Sequence, residues 1–269
     1  MKKIIAVAAC FAVLFSVHVF VQALPAFNFD SETAIYEEEK AADLIPEPRK
    51  MVAITFDDGP TDITIQILND LAKYNARATF FVLGNRLERF PETTQRIVNE
   101  GHQIGNHSFS HKRLNRISVQ TMKNELDLAN EAIFKATGVK PTIMRAPYGE
   151  HDKNVLEAAA ARGMAVIKWN IDSIDWQPGT AVGNITQRAL KNVQAGDIIL
   201  LHDLYPETGA ASAIIIKELT DRGFELVTVD ELIEYYSTEM EPGAVYISGV
   251  KKFSVADGVD FDEWYESNR

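Results

Sequence analysis

The stretch MVAITFDDGPTDITIQILNDLAKYNARATFFVL, residues 51–83, carries the pattern from which the fold of this chain can be predicted. Met51–Phe56 is apolar and β-branched, which indicates a buried strand. Four apolar residues then follow at helical spacing, Ile63, Ile67, Leu68 and Leu71, and predict a helix. Ala78–Leu83 indicates a second strand. A strand, a helix and a strand in this order predict a parallel βαβ unit.

The same alternation continues to about residue 236. Further strands are predicted at His102–Gly105, Thr142–Met144, Ala165–Trp169, Asp197–Leu201 and Phe224–Val227. Helices are predicted at Leu87–Glu100, Val119–Ala136, Lys153–Arg162, Val182–Val193 and Ala211–Arg222. About seven strand–helix units predict a parallel α/β fold, although periodicity does not separate a barrel from an open sheet. Both architectures place functional residues at the carboxyl ends of the strands.

Composition excludes several classes of protein. The 269 residues include 27 Lys and Arg against 38 Asp and Glu, for a net charge of −11, which argues against nucleic acid as a partner. A single cysteine, Cys10, excludes a disulfide scaffold and a zinc site built on cysteine pairs. With 46% apolar residues, the chain is predicted to be globular, and we expect a monomer with no protein partner.

The N-terminal segment has the pattern of an export signal. Lys2 and Lys3 precede an apolar run from Ile4 to Val21, and small residues allow cleavage after Ala23. The run is longer than the apolar part of most signals, so an uncleaved membrane anchor is the alternative. Residues 1–23 are therefore predicted to be a signal peptide or anchor, and the protein to be secreted or tethered outside the cytoplasmic membrane.

Two flanking segments fall outside the repeating pattern. Residues 24–49 are acidic, interrupted by prolines and predicted to be a linker. Residues 237–269 are irregular and acidic, and we expect a packed tail or strand with no site. The segment between them, residues 50–236, is predicted to be the catalytic domain.

Asp57 and Asp58 leave the first predicted strand side by side. Two adjacent carboxylates are costly there unless a metal or another cation offsets their repulsion. Gly59-Pro60 turns the chain, so that both side chains can point at one site. The alternatives are an ordinary turn with an aspartate helix cap, or a nucleophilic aspartate of a phosphatase, whose two aspartates are generally separated by one residue.

The third predicted strand runs into His107 and His111. Histidines at i and i+4 reach one face of a helical turn and can share a metal ion. Two imidazoles and one carboxylate make the three-ligand set of a catalytic zinc site with an open position. His102 and His151, by contrast, are interpreted as ordinary polar groups.

Three later strand ends carry further candidate residues. The segments are Arg145-Ala146-Pro147-Tyr148, Asp172-Ser173-Ile174-Asp175-Trp176 and Leu200-Leu201-His202-Asp203. Each has a structural interpretation on its own, such as a salt bridge, an aromatic wall or a strand cap. Together they place acid, base, cation and metal ligands on five strand ends in one ordered series.

Five segments in this order, TFDDGP, HSFSH, RAPY, DSIDW and LLHD, resemble the polysaccharide deacetylase family, the NodB-homology domain of carbohydrate esterase family 4. The resemblance covers roughly residues 50–235. It implies a distorted (β/α) barrel with about seven parallel strands. It also implies a divalent metal, zinc in the first place, with cobalt, manganese or nickel as alternatives.

The resemblance also implies a role for each matching residue. Asp57 matches the catalytic base, and Asp58, His107 and His111 match the metal ligands. Arg145 matches the residue that orients the base, and the Tyr148 backbone amide one that helps hold the oxyanion. His202 matches the catalytic acid and Asp175 the carboxylate that tunes it. Pro147, Trp176 and Leu200 match substrate-binding positions, the last two as walls around the acetyl methyl group.

The implied reaction is hydrolysis of N-acetyl groups on the N-acetylglucosamine residues of a cell-wall glycan, with peptidoglycan as the expected substrate. An esterase acting on O-acetyl groups of xylan is one alternative, because the same metal chemistry serves both reactions. A catalytically silent glycan-binding protein on the same fold is the other.

Overall fold

The computed structural model describes residues 48–236 and 239–253. The predicted signal or anchor, residues 24–47 of the predicted linker and residues 237–238 and 254–269 of the predicted tail lie outside the described residues. No described helix has the length and apolar character needed to cross a bilayer.

Strands and helices alternate along the described chain. The strands are β1 (Met51–Asp57), β2 (Thr79–Val82), β3 (Gln103–Asn106), β4 (Ile143–Met144), β5 (Ala165–Ile167), β6 (Ile171–Asp172), β7 (Ile198–His202), β8 (Glu225–Val227), β9 (Val245–Ser248) and β10 (Lys251–Phe253). The α-helices are α1 (Asp62–Lys73), α2 (Pro91–Asn99), α3 (Val119–Thr137), α4 (Lys153–Ala160), α5 (Val182–Leu190), α6 (Pro206–Asp221) and α7 (Val229–Tyr236). Short 3₁₀ turns lie at Gly84–Arg89, Leu114–Arg116 and Pro147–Gly149.

Local sequence signals set the helix boundaries. The Thr61 hydroxyl accepts a hydrogen bond from the Ile63 amide, and the Thr64 hydroxyl accepts one from the Thr61 amide, which forms a capping box for α1. Proline occupies the first position of α2 and of α6, where its missing N–H costs nothing. Because proline is tolerated at the start of a helix but not in its interior, the helix predicted at 87–100 begins only at Pro91. The helix predicted at 211–222 begins earlier, at Pro206.

The strands form one sheet in the order β10-β9-β5-β4-β3-β2-β1-β7-β6. All pairings in it are parallel except that of β9 with β10. Ala53 pairs with Ile198 of β7 and with Val227 of β8, so β8 lies beside the start of β1 while β2 lies beside its end. This curled, parallel sheet with helices confirms the predicted distorted (β/α) barrel.

Residues of β1 alternate between two environments, as the geometry of a strand requires. Val52, Ile54 and Phe56 belong to the large core cluster that also contains residues of α1 and α6. Met51 and Ala53 belong to a second core cluster on the opposite face of the strand. Thr55 and Asp57 therefore share the face of Met51 and Ala53, and Asp57 comes last, at the carboxyl edge of the sheet.

Two strands, β9 and β10, come from the segment predicted to be a packed tail or strand. Val245–Ser248 forms β9, which pairs in parallel with β5 through Val166 and Ile167. All four residues of β9 are buried, and Tyr246 is among the largest fully buried side chains. The sheet therefore includes residues that lie beyond 236 in the sequence.

Candidate active site

The predicted site residues gather at the carboxyl edge of the sheet. Asp57 ends β1 and His202 ends β7, while His107 follows β3, Arg145 follows β4 and Asp175 lies three residues after β6. Because these strands are parallel neighbours, their carboxyl ends meet at one edge. The fold thus brings together residues that are up to 145 positions apart in the sequence.

Asp57 and Asp58 point toward the same imidazole. Asp57 Oδ2 lies 3.7 Å and Asp58 Oδ1 lies 3.4 Å from His107 Nε2. Asp58 adopts a φ of 76°, in the left-handed region, where a non-glycine residue is strained by on the order of 1 kcal/mol. This conformation allows consecutive residues of an extended chain to face one site, as the turn at Gly59-Pro60 led us to expect.

Three of these residues can hold a metal ion. Asp58, His107 and His111 each offer a ligand atom, and the three atoms lie within 4.8 Å of one another. Asp58 Oδ1 is 3.1 Å from His111 Nε2, is buried and accepts no hydrogen bond from the described residues. His107 Nδ1 lies 2.7 Å from the Arg145 carbonyl oxygen, to which it donates, so its Nε2 lone pair faces the cluster. The donor set fits a divalent cation.

The charges at this cluster are arranged for a cation. Burial raises the pKa of Asp58, but the neighbouring histidines outweigh this effect and hold it below its usual range. Burial lowers the pKa of His107, but Asp57 and Asp58 outweigh it and raise the value. Burial and the charge of His107 lower the pKa of His111. The two carboxylates thus present excess negative charge, which a metal would neutralise.

The prediction of a helical turn at His107–His111 was wrong. The segment is a loop in which Ser108 has a φ of 68° and His111 a φ of 60°. Asn106 Oδ1 accepts a hydrogen bond from the Ser108 amide at 2.7 Å, and Ser108 Oγ accepts one from the His111 amide at 2.9 Å. These side-chain contacts, rather than helical periodicity, bring the imidazoles to within 5.1 Å of each other, measured between ring centroids.

Sequence reasoning missed the residue that supports this loop. Glu125 of α3 is buried and accepts hydrogen bonds from the amide and hydroxyl of Ser110, both at 2.8 Å, and from Lys112 Nζ at 2.7 Å. A glutamate beside Met122 and Leu126, on the apolar face of an amphipathic helix, was the signal that could have revealed it.

Arg145 is fully buried and holds Asp57 in place. Its Nη1 donates to Asp57 Oδ1 at 2.7 Å and to Thr55 Oγ1 at 2.8 Å. The remaining guanidinium donors reach the carbonyl oxygens of Ile167 and Lys168 at 3.1 and 2.8 Å. A guanidinium fixed by four hydrogen bonds leaves the Asp57 carboxylate little freedom to rotate.

His202 and Asp175 form a second ion pair across the site. His202 Nδ1 lies 2.8 Å from Asp175 Oδ1, and Asp175 Oδ2 accepts from the His202 amide at 2.7 Å and from Thr208 Oγ1 at 2.8 Å. Burial lowers the pKa of His202, but the hydrogen bond and charge of Asp175, aided by Asp57 and Asp58, raise it to about 9. The imidazole is therefore protonated at neutral pH, with Nδ1–H held by Asp175 and a second proton on Nε2.

Asp203, to which the sequence analysis assigned no role, links the end of β7 to the end of β1 and the start of α1. Its amide donates to the Asp57 carbonyl oxygen at 3.2 Å, and its buried Oδ2 accepts from the Thr64 hydroxyl. A Cβ on Gly59 would lie 2.0 Å from Asp203 Oδ2, so only glycine allows this approach. Burial raises the pKa of Asp203 to about 7.

Tyr148 and the predicted substrate-binding residues Pro147, Trp176 and Leu200 lie in or after the strands β4, β6 and β7. Tyr148 has a φ of 62° and places its exposed ring 4.7 Å from the His111 ring, measured between centroids. Trp176 is also exposed, whereas Pro147 and Leu200 are buried. Ile199 and Leu201 face the large core cluster, so Leu200 shares the face of His202 on β7.

A curled parallel sheet with a histidine–carboxylate cluster at its carboxyl edge defines an α/β protein with a site that could hold a hydrolytic metal ion. Residues 45–167 match the family described as polysaccharide deacetylase. A peptidoglycan-N-acetylglucosamine deacetylase of Bacillus cereus is 37% identical over 198 residues, which are 71% of this chain and 92% of that protein. This chain belongs to the polysaccharide deacetylase family.

Two further proteins similar to this chain differ in their length and in the substrate that their names give. A peptidoglycan-N-acetylglucosamine deacetylase of Listeria monocytogenes is 38% identical over 198 residues, 73% of this chain but 41% of that protein. The chain therefore spans about two fifths of the length of that relative. A family 4 acetyl xylan esterase from Clostridium thermocellum, solved in complex with a cobalt ion, is 34% identical with a TM-score of 0.69, covering 74% of this chain and 98% of that one.

Proposed function

We propose that this protein is a metal-dependent hydrolase that removes N-acetyl groups from N-acetylglucosamine residues of a cell-wall glycan, peptidoglycan in the first place, and releases acetate. One observation carries the proposal. A cluster of three candidate metal-ligand side chains, a carboxylate fixed by Arg145 and an imidazole paired with Asp175 meet at one edge of the sheet. Amide hydrolysis needs this combination of an electrophilic centre, a base and an acid.

Asp58, His107 and His111 would hold the metal. When bound, a divalent ion lowers the pKa of a water ligand and polarises a carbonyl oxygen. Two imidazoles and one carboxylate are a common catalytic zinc set, so zinc is our first choice, with cobalt, manganese or nickel as alternatives.

Asp57 is the base in this proposal. Its carboxylate accepts the proton of the attacking water, whose oxygen forms a bond to the acetyl carbonyl carbon. Arg145 fixes Oδ1 of Asp57 through its 2.7 Å hydrogen bond and leaves Oδ2, on the side of His107, to receive the proton. The Tyr148 backbone amide donates to the carbonyl oxygen as negative charge develops on it.

His202 is the acid. An amine is a poor leaving group unless it is protonated, so the C–N bond breaks as His202 Nε2–H delivers its proton to the glucosamine nitrogen. Asp175 holds the other ring nitrogen and stabilises the imidazolium. Trp176 and Leu200 then form walls around the acetyl methyl group, and Pro147 contributes to substrate binding beside them.

Replacement of Asp175 by asparagine tests the acid through pH dependence. Because Asp175 raises the pKa of His202 to about 9, wild-type kcat/KM should be retained below that value and fall as pH rises through it. In the variant, the charge of Asp175 no longer opposes the effect of burial on the pKa of His202, so that pKa falls. The alkaline limb of the pH profile should therefore move to lower pH. A pH profile of acetate release measures this, with Asp230→Asn as the matched control. An unmoved alkaline limb would remove His202 from the role of acid.

The reaction itself is tested by acetate release from three substrates, with and without a chelator. We expect chelator-sensitive release from peptidoglycan glycan strands at a higher kcat/KM than from chitin oligomers or acetylated xylan. Activity confined to xylan would favour the O-acetyl esterase, an alternative supported by the Clostridium thermocellum structure. Binding without acetate release from any substrate would identify a silent glycan-binding protein.

Export is part of the proposal, because a cell-wall glycan lies outside the cytoplasmic membrane. Lys2, Lys3 and the apolar run to Val21 support a signal or an anchor. N-terminal sequencing of the protein recovered from the envelope and from the medium distinguishes a cleaved from a retained segment.

A further inference from the structure

Two guanidinium groups share one carboxylate beside the candidate metal cluster. Arg113 Nη1 pairs with Glu150 Oε1, and Arg116 Nε lies 3.4 Å from Glu150 Oε2. The side chains of Arg113 and Arg116 are 40% and 67% exposed, and that of Glu150 is 22% exposed. Two positive charges on one negative charge leave a surplus of positive charge at the surface of a chain whose net charge is −11.

This surplus lies at the edge of the site. Arg113 Cζ stands 3.7 Å from the centroid of the Tyr148 ring, whose centroid is 4.7 Å from that of His111. The guanidinium is therefore at most 8.4 Å from the ring of a candidate metal ligand. Stacking on Tyr148 and pairing with Glu150 restrict its position, so little ordering remains to be done when a ligand binds.

The neighbouring cation does not contribute to the surplus. Lys112 Nζ pairs with Glu125 at 2.7 Å, and Glu125 is buried. Arg113 and Arg116 therefore carry the unbalanced charge of this loop. A guanidinium presents several N–H donors in a plane, an arrangement that matches the two oxygens of a carboxylate.

We propose that Arg113 and Arg116 form a subsite for a carboxylate of the glycan substrate, an inference that rests on the proposed deacetylase function. In peptidoglycan, the muramic acid next to each N-acetylglucosamine carries a lactyl carboxylate or, where a stem peptide is attached, the carboxylates of that peptide. Neutral chitin oligomers and acetylated xylan have no such group. The subsite would therefore select peptidoglycan over neutral glycans, while Glu150 holds the two guanidiniums and competes for them.

The measurement is the ratio of kcat/KM on peptide-free peptidoglycan strands to kcat/KM on chitin oligomers. Arg113→Gln should lower this ratio about three- to tenfold, the effect of losing one half-exposed, charge-assisted contact. Glu150→Gln should raise it, because it removes the competing carboxylate, and a folding defect does not explain a rise. Arg222→Gln is the matched control, since Arg222 is 41% exposed and pairs with Glu218 far from the site.

The same ratio, measured on strands that keep their stem peptides, identifies which carboxylate is bound. A larger effect on peptide-bearing strands assigns the subsite to the peptide, and an effect only on peptide-free strands assigns it to the lactyl group. A ratio unchanged by Arg113→Gln on both kinds of strand, or lowered by Glu150→Gln, overturns the proposal.

Failure of the subsite is distinguishable from failure of the proposed reaction. Absence of acetate release from every glycan contradicts the reaction. The subsite is then still tested by dissociation constants of the Asp57→Asn protein. The ratio of the dissociation constant for strands to that for chitin oligomers should rise by the same factor in Arg113→Gln.

Discussion

Replacing Asp57 by asparagine is expected to lower kcat for acetate release by on the order of 10²–10⁴-fold. The carboxamide keeps the shape of the side chain and can still accept the hydrogen bond from Arg145 Nη1, but it cannot take a proton from water. The candidate ligand set Asp58, His107 and His111 stays complete. Metal content should therefore equal that of the wild type while turnover is lost.

Stability must be measured beside activity, because Asp57 is the only carboxylate that the described residues place in a hydrogen bond with buried Arg145. Leaving the guanidinium buried without that charge costs roughly 3–5 kcal/mol of unfolding free energy in comparable pairs. Thermal unfolding of the variant locates a temperature at which it is fully folded, and turnover is compared there. Asp197→Asn, a buried carboxylate at the amino end of β7, is the control. Wild-type acetate release in the folded Asp57→Asn protein would remove Asp57 from the role of base.

His107→Ala is expected to lose both metal and activity, the latter by on the order of 10³-fold, since the stabilisation from a metal amounts to several kcal/mol. The substitution removes one of three ligand atoms and leaves Asp57 and Asp58 without the imidazole that faces both. Metal analysis of the purified protein and acetate release after metal addition measure the two effects. Chelator-treated wild type defines the activity expected of a protein without metal.

His102→Ala is the matched control for this variant. His102 and His107 are both buried and flank β3 at opposite ends, with His107 at the edge that carries the site. His102 Nδ1 accepts from the Ala78 amide at 3.2 Å, and burial lowers the pKa of its imidazole to about 4. Its loss should lower stability but leave metal content unchanged. A full metal complement in His107→Ala would exclude His107 from the ligand set.

Much of the fold follows from local patterns. The apolar run at Met51–Phe56 and the helical spacing after it predicted β1 and α1 to within one or two residues. Parallel pairing then followed, because a helix between two strands returns the chain to the same edge of the sheet. The segment that forms β9 was predicted to be a packed tail or strand, but its pairing with β5, some eighty residues earlier, could not be predicted.

The sequence could mark a supporting residue such as Glu125 as unusual, but it could not predict which groups the supporting residues contact. Glu125 beneath the histidine loop, Asp203 against Gly59, and Glu150 between Arg113 and Arg116 meet their partners only through folding. The i to i+4 spacing correctly predicted that His107 and His111 lie close together, but the helical turn given as the reason was wrong. His107 and His111 converge through a loop with left-handed residues, and i to i+4 spacing alone does not distinguish that from a helical turn.

The sequence by itself determined the parallel α/β architecture and the order in which acids, bases and histidines arrive at the strand ends. The resemblance of the motifs assigned different roles to Asp57 and Asp58, but their residue chemistry, which is identical, gave no physical reason for the difference. Only the tertiary structure separates them. Strand alternation places Asp57 on the face of β1 that carries Met51 and Ala53, where Arg145, the residue after β4, holds it. The positive φ of Asp58 turns that carboxylate toward His107 and His111. The physical reason is that the groups packed around a carboxylate determine its chemical role, and these groups are distant in the sequence.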